Sequence, residues 1–401
     1  MRRVSLPERP DWREKAEALG FGFHEMYGEP YWLDGAAFLF TLEQIESDIE
    51  DPTGDLHEMC MELASEVSGS PQLMRRIAIP DEHHDIVRDS WRAAERHLYG
   101  RFDFAYRGDG PAKLLEYNAD TPTSIFESAF FQHNWLVDRV EAGWLPEGAD
   151  QYNFLQESLV EAFASFDRGP IFHFACASDN DEDRGTATYL MDCALQAGHR
   201  CELLDVRQIG IDGEGRFTDN KERVIDRCFK LYPWEDMLRE RFAPHVRPGI
   251  FVEPAWKSIL SNKGMLPLLW ERHEGHPNLL PAFFADDPRA SELDAAVSKP
   301  FHSREGENVV ISLEGAPVEA TEGDYEASPR IVQAYEPLYE KGGAHAVVGS
   351  WVVGDRACGV GMREDGSRIT RNLSRFVPHA IVEDPQSVEE ALQDGSVKIE
   401  G

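Results

Sequence analysis

The sequence predicts a mixed α/β (α+β) fold, and three observations support this. Between residues 170 and 254, apolar strand-like runs alternate with helix-like segments, which is the order of a parallel sheet covered by helices. After residue 296 the chain is rich in apolar runs joined by Gly-containing turns at residues 314–315 and 354–355, a pattern typical of hairpins. A hydrophobic content of 42% supplies sizeable cores, and 401 residues predict two or three lobes.

The charge of the chain excludes several classes of partner. Lys and Arg number 40 against 73 Asp and Glu, which gives a net charge of −33. Nucleic acid and anionic membrane surfaces are held mainly by basic side chains, so we expect neither as a partner. No apolar stretch approaches the roughly 20 residues of a membrane span, and the six cysteines lack a C-x-x-C pair. We therefore expect a cytoplasmic protein with reduced thiols.

The first long periodic segment lies between residues 85 and 100. Val87, Trp91, Ala94 and Leu98 recur at spacings of four, three and four residues, which predicts an amphipathic helix. Gly100 is expected to end it.

The segment RFDFAYRGDGPAKLLEYNADTPTS, residues 101–124, predicts a β-hairpin. Aromatic and charged residues alternate in its first strand, so the two sets occupy opposite faces. The Gly-Asp-Gly-Pro sequence in its middle is a strong turn signal. Pairing about this turn places Asp103 opposite Glu116 and Arg101 opposite Asn118, all on the non-aromatic face.

These four residues suggest a metal site. Two carboxylates directly across a strand pair repel each other, and a divalent cation removes the repulsion. Two carboxylates and an amide oxygen suit Mg²⁺, which shares its remaining positions with water and phosphates. Arg101 is then placed to contact an anionic substrate. The alternative is an exposed hairpin in which Arg101 and Asp103 form surface ion pairs.

Two later segments depart from the acidic background. Residues 255–304 contain six basic and six acidic side chains, and residues 351–376 contain five arginines against three acids. The first of these segments holds a strand with Lys299, followed by the polar loop SREGENVV. Backbone N–H groups of such a loop can bind phosphate while a strand lysine neutralises it, and arginines suit a transferring phosphoryl group. An ordinary hairpin turn and an ion-paired surface remain the alternatives.

At this point the residues resemble a known family. The motifs EYNADTPTS, LSNKGMLPLLWERHEGHPNLLPAFF and SKPFHSREGENV are similar to those of the glutathionylspermidine synthase family, and the resemblance runs over residues 11–381. It implies a permuted ATP-grasp fold with a pre-ATP-grasp-like α/β lobe. The larger members also carry an amidase domain, for which this chain has no room, so it resembles the shorter, synthetase-only members.

The resemblance also implies a division into three parts. Residues 1–165 would form the N-terminal part of the synthetase core with the metal-binding hairpin. Residues 166–254 would form the α/β substrate lobe, and residues 255–401 the ATP-binding lobe with a glycine-loop lid.

The resemblance assigns a role to each site residue in turn. Arg101 and Arg363 would be catalytic, and Asp103, Glu116 and Asn118 would hold Mg²⁺. ATP would be bound by Lys263, Lys299, Arg304, Gly306, Gln333, Ala334 and Tyr335, with residues 333–335 as a hinge whose backbone pairs with adenine. Substrates would be bound by Thr121, Thr123, Asp181, Glu182 and Asp183. Thr121 and Thr123 replace two serines of the larger enzymes. The alternative interpretation of the three acids is that they stabilise the N-terminus of a helix.

The implied activity is that of an ATP-dependent carbon–nitrogen ligase. It would join a carboxylate, from a glutathione-like peptide or another acid, to a polyamine-like amine through an acyl phosphate, with ATP and Mg²⁺ as cofactors. Two other classes remain open. A metal-dependent phosphohydrolase would use the acidic cluster without needing an amine, and a non-catalytic ATP-binding regulator would bind nucleotide without turnover.

Overall fold

The computed structural model describes residues 1–26, 28–371 and 374–395, and it confirms the mixed α/β fold. The strands of the described residues are β1 (Arg2–Ser5), β2 (Glu25–Met26), β3 (Glu29–Pro30), β4 (Ala36–Phe40), β5 (Tyr99–Ala105), β6 (Lys113–Asn118), β7 (Phe172–Cys176), β8 (Cys201–Asp205), β9 (Gly210–Ile211), β10 (Phe217–Thr218), β11 (Cys228–Lys230), β12 (Phe251–Val252), β13 (Ala282–Phe284), β14 (Ala295–Pro300), β15 (Val310–Leu313), β16 (Ala316–Ala320), β17 (Arg330–Ala334), β18 (Tyr339–Lys341), β19 (Ala344–Val353), β20 (Arg356–Asp365), β21 (Arg375–Val377) and β22 (His379–Ile381). The α-helices are α1 (Trp12–Ala18), α2 (Leu42–Ile45), α3 (Asp51–Ser68), α4 (Pro71–Arg76), α5 (His84–Arg92), α6 (Gln132–Glu141), α7 (Leu155–Ala164), α8 (Asp181–Gln196), α9 (Trp234–Met237), α10 (Met265–Arg272) and α11 (Pro385–Asp394).

A four-stranded parallel sheet occupies the middle of the chain. Its strand order is β12-β11-β7-β8, and every residue of β7 is buried. Helix α8 packs on β7 and β8. Its N-terminus is capped by Asn180, whose side-chain oxygen accepts the backbone N–H groups of Glu182 and Asp183 at 3.0 and 3.1 Å. The alternation predicted between residues 170 and 254 is therefore confirmed.

Two antiparallel sheets carry the strand-rich parts. One has the order β13-β17-β14-β15-β16, and the other has the order β21-β20-β19-β5-β6 with β18 paired to β19. The second sheet combines strands from the first and the last of the three predicted segments, and the predicted domain division stays a prediction. Residues 372–373 and 396–401 of the predicted last segment lie outside the described residues.

The register predicted for the hairpin is confirmed. Arg101 pairs with Asn118, and Asp103 pairs with Glu116. Beyond Asp103 the register shifts, because Phe104 pairs with Leu114 and leaves Leu115 as an extra residue in β6. Such a bulge bends the strand and changes the direction of the neighbouring backbone groups.

The helix predicted to run to Gly100 is wrong in its extent. Helix α5 ends at Arg92, and Ala94 adopts a φ of 49° that breaks the helical path. The N–H of buried Leu98 donates to the Glu253 carboxylate at 3.1 Å instead of to a helical carbonyl. Gly100 lies inside β5, where a Cβ would be 2.7 Å from the Tyr117 ring. The apolar spacing continues past the helix because the next strand needs buried residues as well.

The six cysteines are free, and all except the half-buried Cys201 are buried, as expected for reduced thiols. Among the described residues, no helix combines the length and the apolar character needed to cross a membrane.

Candidate active site

A cavity of about 380 Å³ lies where the two antiparallel sheets meet the carboxyl ends of β7 and β11. All but one of the predicted site residues line it: Arg101, Asp103, Glu116, Asn118, Thr121, Thr123, Glu182, Asp183, Lys263, Lys299, Arg304, Gly306, Gln333, Ala334, Tyr335 and Arg363. These residues come from segments far apart in the sequence, and the fold brings them together. Their individual roles stay predictions.

Asp103 lies at the centre of the hairpin face between two arginines. Arg101 contacts its carboxylate with Nε at 2.6 Å and with a second nitrogen at 3.1 Å, and Arg363 from β20 donates to it at 2.7 Å. Arg101 also donates to the Thr123 carbonyl at 2.7 Å. Asp103 and Arg101 are both buried, so this forked, charge-assisted pairing fixes the guanidinium groups toward the cavity.

Glu116 is the second carboxylate of the hairpin. Lys263 lies 3.0 Å from its carboxylate, and the Asn118 amide donates to it at 3.3 Å. Burial by itself would raise the pKa of Glu116, but the Lys263 and Lys299 ammonium groups outweigh burial and lower its pKa to about 2. Glu116 is therefore ionised at neutral pH.

Lys299 is held at the hairpin by the β6 bulge. Its ammonium group donates to the Leu115 carbonyl at 3.0 Å and to the Gln333 side-chain oxygen at 2.8 Å. Gln333 in turn donates to the Leu114 carbonyl at 2.9 Å. Burial lowers the pKa of Lys299 to about 8, against the attraction of Glu116. The bulged part of β6 thus holds Lys299 directly, through the Leu115 carbonyl, and indirectly, through Gln333 on the Leu114 carbonyl.

The predicted adenine hinge is only partly available. Ala334 and Tyr335 line the cavity, but their backbone N–H groups already donate to the Pro281 and Ala295 carbonyls at 2.7 and 3.0 Å. These two N–H groups are consequently not free to pair with adenine. The sequence could not reveal this, because the pairing depends on how β17 meets its neighbours.

The predicted glycine loop covers one side of the cavity. Gly306 has a φ of 70°, and a Cβ there would lie 2.5 Å from the Thr370 carbonyl oxygen. Arg304 donates to the Thr121 hydroxyl at 2.5 Å and to the Glu235 carboxylate at 2.9 Å. These contacts tie the loop to the hairpin segment and to the α/β lobe.

Two acidic residues of α8, Glu182 and Asp183, also line the cavity. Burial raises the pKa of Glu182, and burial together with the nearby Glu182 carboxylate raises the pKa of Asp183 to about 7. Asp181 does not line the cavity. Its exposed carboxylate pairs with Arg184 at 2.6 Å in the first turn of α8, which fits the alternative interpretation of this residue as a helix N-terminal acid.

Sequence reasoning missed Tyr31, which lines the cavity, and two acids that pair with lining residues, Glu127 and Glu235. Tyr31 lines the cavity and donates to buried Glu127 at 2.5 Å, and burial raises the pKa of Glu127 to about 8. Glu235 pairs with Arg304. Glu127 is a lone acid in the apolar run IFESAFF, which was a usable signal, whereas nothing around Tyr31 or Glu235 marks them.

The hairpin donor set fits a magnesium ion. The two paired carboxylates and the Asn118 amide converge, with the amide nitrogen 3.1 Å from Asp103 and 3.3 Å from Glu116. Rotating that amide presents its oxygen instead of its nitrogen to the same point. Two carboxylate oxygens and one amide oxygen are ligands that Mg²⁺ prefers.

The family of the chain follows from comparison with known proteins. A family model described as glutathionylspermidine synthase preATP-grasp matches residues 3–382. The chain belongs to this family. Members of this glutathionylspermidine synthase family are ATP-dependent carbon–nitrogen ligases that act on small molecules, and the chain is a ligase of this kind.

Similar proteins include short and long members. A Haemophilus influenzae protein named "Putative acid--amine ligase" is 38% identical over 399 residues, covering 95% of this chain and 100% of that protein. Trypanothione synthetase of Crithidia fasciculata is 29% identical over 353 residues, covering 80% of this chain and 53% of that protein. The bifunctional glutathionylspermidine synthetase/amidase of Escherichia coli strain K12 is 26% identical over 400 residues, covering 92% of this chain and 63% of that protein. The chain thus spans between half and two thirds of the length of the two longer relatives.

A solved structure supports the fold assignment. A glutathione synthetase-like effector from Globodera pallida superposes with a TM-score of 0.52 at 11% identity, covering 86% of this chain and 88% of that one. At this identity the likeness concerns the fold alone. The family match and this neighbour together confirm the expected ATP-grasp-type α/β architecture.

Proposed function

We propose that the protein uses this cavity to join the carboxylate of a glutathione-like peptide, or of another acid, to a polyamine-like amine. The reaction would proceed through an acyl phosphate. The observation that carries this proposal is that one cavity is lined by both basic and acidic side chains. Lys263 and Lys299 lie beside Glu116 of the hairpin, and Glu182 and Asp183 of α8 line the same cavity. A triphosphate is complementary to the lysines, and a cationic amine is complementary to the two acids.

The two lysines beside Glu116 are suited to the phosphates of ATP. Lys263 and Lys299 are buried or nearly buried around Glu116, and a low-dielectric environment strengthens their attraction for phosphate. Asp103, Glu116 and Asn118 would hold Mg²⁺, which supplies charge neutralisation to the phosphates when bound. The carboxylates also keep the two lysines from repelling each other when the nucleotide is absent.

Arg101 and Arg363 would stabilise the phosphoryl group in transfer. In the first step, a carboxylate oxygen of the acid forms a bond to the γ-phosphorus, and the bond from that phosphorus to the bridging oxygen of ADP breaks. Negative charge spreads over the transferring group, and two fixed guanidinium groups can share it. Their common anchor on Asp103 reduces the reorganisation that the step requires.

The second step forms the amide. The amine nitrogen attacks the acyl carbon, the carbon–oxygen bond to phosphate breaks, and inorganic phosphate leaves. An ammonium substrate must first lose a proton. Asp183, whose pKa is raised to about 7, is matched to accept it near neutral pH. Thr121 and Thr123 would contact the carboxylate of the acid with their hydroxyl groups, and the loop at Gly306 would exclude water from the acyl phosphate.

A product search tests this proposal. Purified protein is incubated with ATP, Mg²⁺ and pairs of acids and amines that include glutathione and spermidine, while ADP release and new masses are followed. The ligase predicts ADP formation that requires both partners and a product lighter than their sum by one water. ADP formation without an amine would favour a phosphohydrolase, and ATP binding without turnover over the whole panel would favour a regulator.

Matched variants test the site assignment. Glu116→Gln and Lys299→Ala should be almost inactive while still folded. Lys113→Ala is the control, since Lys113 lies on the same strand as Glu116 but outside the cavity, with its ammonium group on the Pro277 carbonyl. Efficient turnover by both cavity variants would refute the assignment of Glu116 and Lys299 to the active site.

A further inference from the structure

A second cluster of metal-ligand side chains lies behind the hairpin, away from the cavity. It consists of His57 in α3, His97 just before β5, and Asp355 in the turn between β19 and β20. One ligand atom from each residue lies within 4.8 Å of the other two. The cluster therefore joins three chain segments that are distant in sequence.

The three side chains converge on one point. The His57 and His97 Nε2 atoms lie 3.0 and 3.1 Å from the same Asp355 oxygen, Oδ1. A tetrahedral zinc ion with bonds of about 2.0 Å separates its ligand atoms by about 3.3 Å. The two distances to Asp355 Oδ1 are therefore close to the spacing of neighbouring ligands around one ion, and one nitrogen of each imidazole lies within 4.8 Å of the other.

The surroundings support a shallow site with one open position. The His57 and His97 side chains are only 3% and 10% exposed, whereas the Asp355 side chain is 72% exposed. Buried imidazoles have fixed orientations, and the exposed carboxylate side gives access to solvent. The Tyr117 oxygen lies 3.5 Å from His57 Nδ1, so it is positioned to accept that N–H when Nε2 binds a metal.

We propose that His57, His97 and Asp355 form a zinc site that is separate from the ATP and magnesium site. Two imidazole nitrogens and one carboxylate oxygen suit Zn²⁺ rather than Mg²⁺, which prefers oxygen ligands. Water completes the fourth position. Adjacent residues of a strand face opposite sides, and Tyr117 accordingly faces this cluster while Glu116 lines the cavity. The zinc ion would tie α3 to the back of the sheet that carries the active-site hairpin.

Zinc titration of the full chain tests the site. The protein is stripped with EDTA, returned to chelator-free buffer with excess Mg²⁺, and titrated with Zn²⁺ in competition with a chromophoric chelator. We expect one tight equivalent and a higher melting temperature. Asp355→Asn changes an exposed turn residue and should leave the fold intact, but it should weaken zinc binding by at least about 100-fold and abolish the melting shift.

Two controls make the outcome specific. His133→Gln alters an exposed histidine and should bind zinc as the wild type does. Glu116→Gln removes a ligand of the cavity site and should also retain the tight equivalent. The proposal is overturned if the wild type shows no saturable zinc binding, if Asp355→Asn binds as tightly, or if Glu116→Gln alone removes the binding.

Discussion

The charge of Lys299 is expected to control the affinity of the proposed nucleotide site. Its ammonium group is bonded to a carbonyl and an amide oxygen rather than directly to a carboxylate, and burial lowers its pKa to about 8. A lysine with a lowered pKa loses its charge as the pH rises through that value. ATP affinity of the free protein should therefore fall between pH 7 and pH 9.

The size of the effect follows from the fraction of Lys299 that is protonated. With a pKa of about 8, this fraction is about 0.9 at pH 7 and about 0.1 at pH 9. A charged hydrogen bond to phosphate contributes about 1.5–3 kcal/mol, so the neutral form binds much more weakly. The dissociation constant for ATP should therefore rise nearly tenfold over this range.

Equilibrium titration with ATP at half-unit pH intervals measures this directly, with Lys299→Arg as the matched control. Arginine keeps its charge throughout the range, so its profile should lack the inflection near pH 8. Asp183 and Glu127 titrate in the same interval, but they are present in both proteins, and the difference between the profiles isolates Lys299. Identical pH profiles for the two proteins would refute the reasoning.

Three further perturbations probe the glycine loop and the buried acid Glu127, which binds Tyr31 of the cavity lining. Thr121→Val removes the acceptor of Arg304 and, at about 1–2 kcal/mol, should raise the KM for ATP about 5- to 30-fold in steady-state assays. Gly306→Ala places a side chain at a φ of 70° against the Thr370 carbonyl, and a strain of about 1–3 kcal/mol should lower kcat about 5- to 100-fold. Folded Glu127 has a pKa of about 8 and its unfolded form a pKa near the ordinary value, so wild-type stability falls as pH rises between them. Glu127→Gln should remove about 2–3 kcal/mol of the stability difference between pH 5 and pH 7 in urea unfolding.

Each of these variants has a control in the same molecule. Thr121→Ser keeps the hydroxyl group and should keep the KM. Gly366→Ala changes a glycine with open space around it and should keep kcat. Glu161→Gln alters an exposed surface acid and should preserve the wild-type pH dependence of stability. If a variant and its control give the same KM, kcat or pH dependence of stability, the role given to that residue is wrong.

Local patterns predicted the parts of this protein that depend on neighbouring residues. Alternation and a strong turn signal were sufficient to place Asp103 opposite Glu116, and the structure has that register. The parallel sheet between residues 170 and 254 followed in the same way from its alternating elements. Period and turn chemistry act over a few residues, so the sequence displays them directly.

Features that depend on tertiary pairing could not be predicted. The bulge at Leu115 that positions Lys299 has no glycine or other mark in the sequence. Beyond the end of α5, the backbone at Leu98 is bound by Glu253, a residue more than 150 positions away in the sequence. Asp181 and Asp183 are neighbours of the same type, yet one pairs with Arg184 outside the cavity and the other lines it. Their difference comes from the orientation of α8.

The central claim is that the acid is activated as an acyl phosphate in this cavity. The most direct test uses an acid found in the product search, labelled with ¹⁸O in its carboxylate, together with ATP and the amine. Transfer to phosphorus followed by amide formation predicts one ¹⁸O atom in the released inorganic phosphate for each amide formed. Phosphate that carries no ¹⁸O from the acid while amide accumulates would contradict the account.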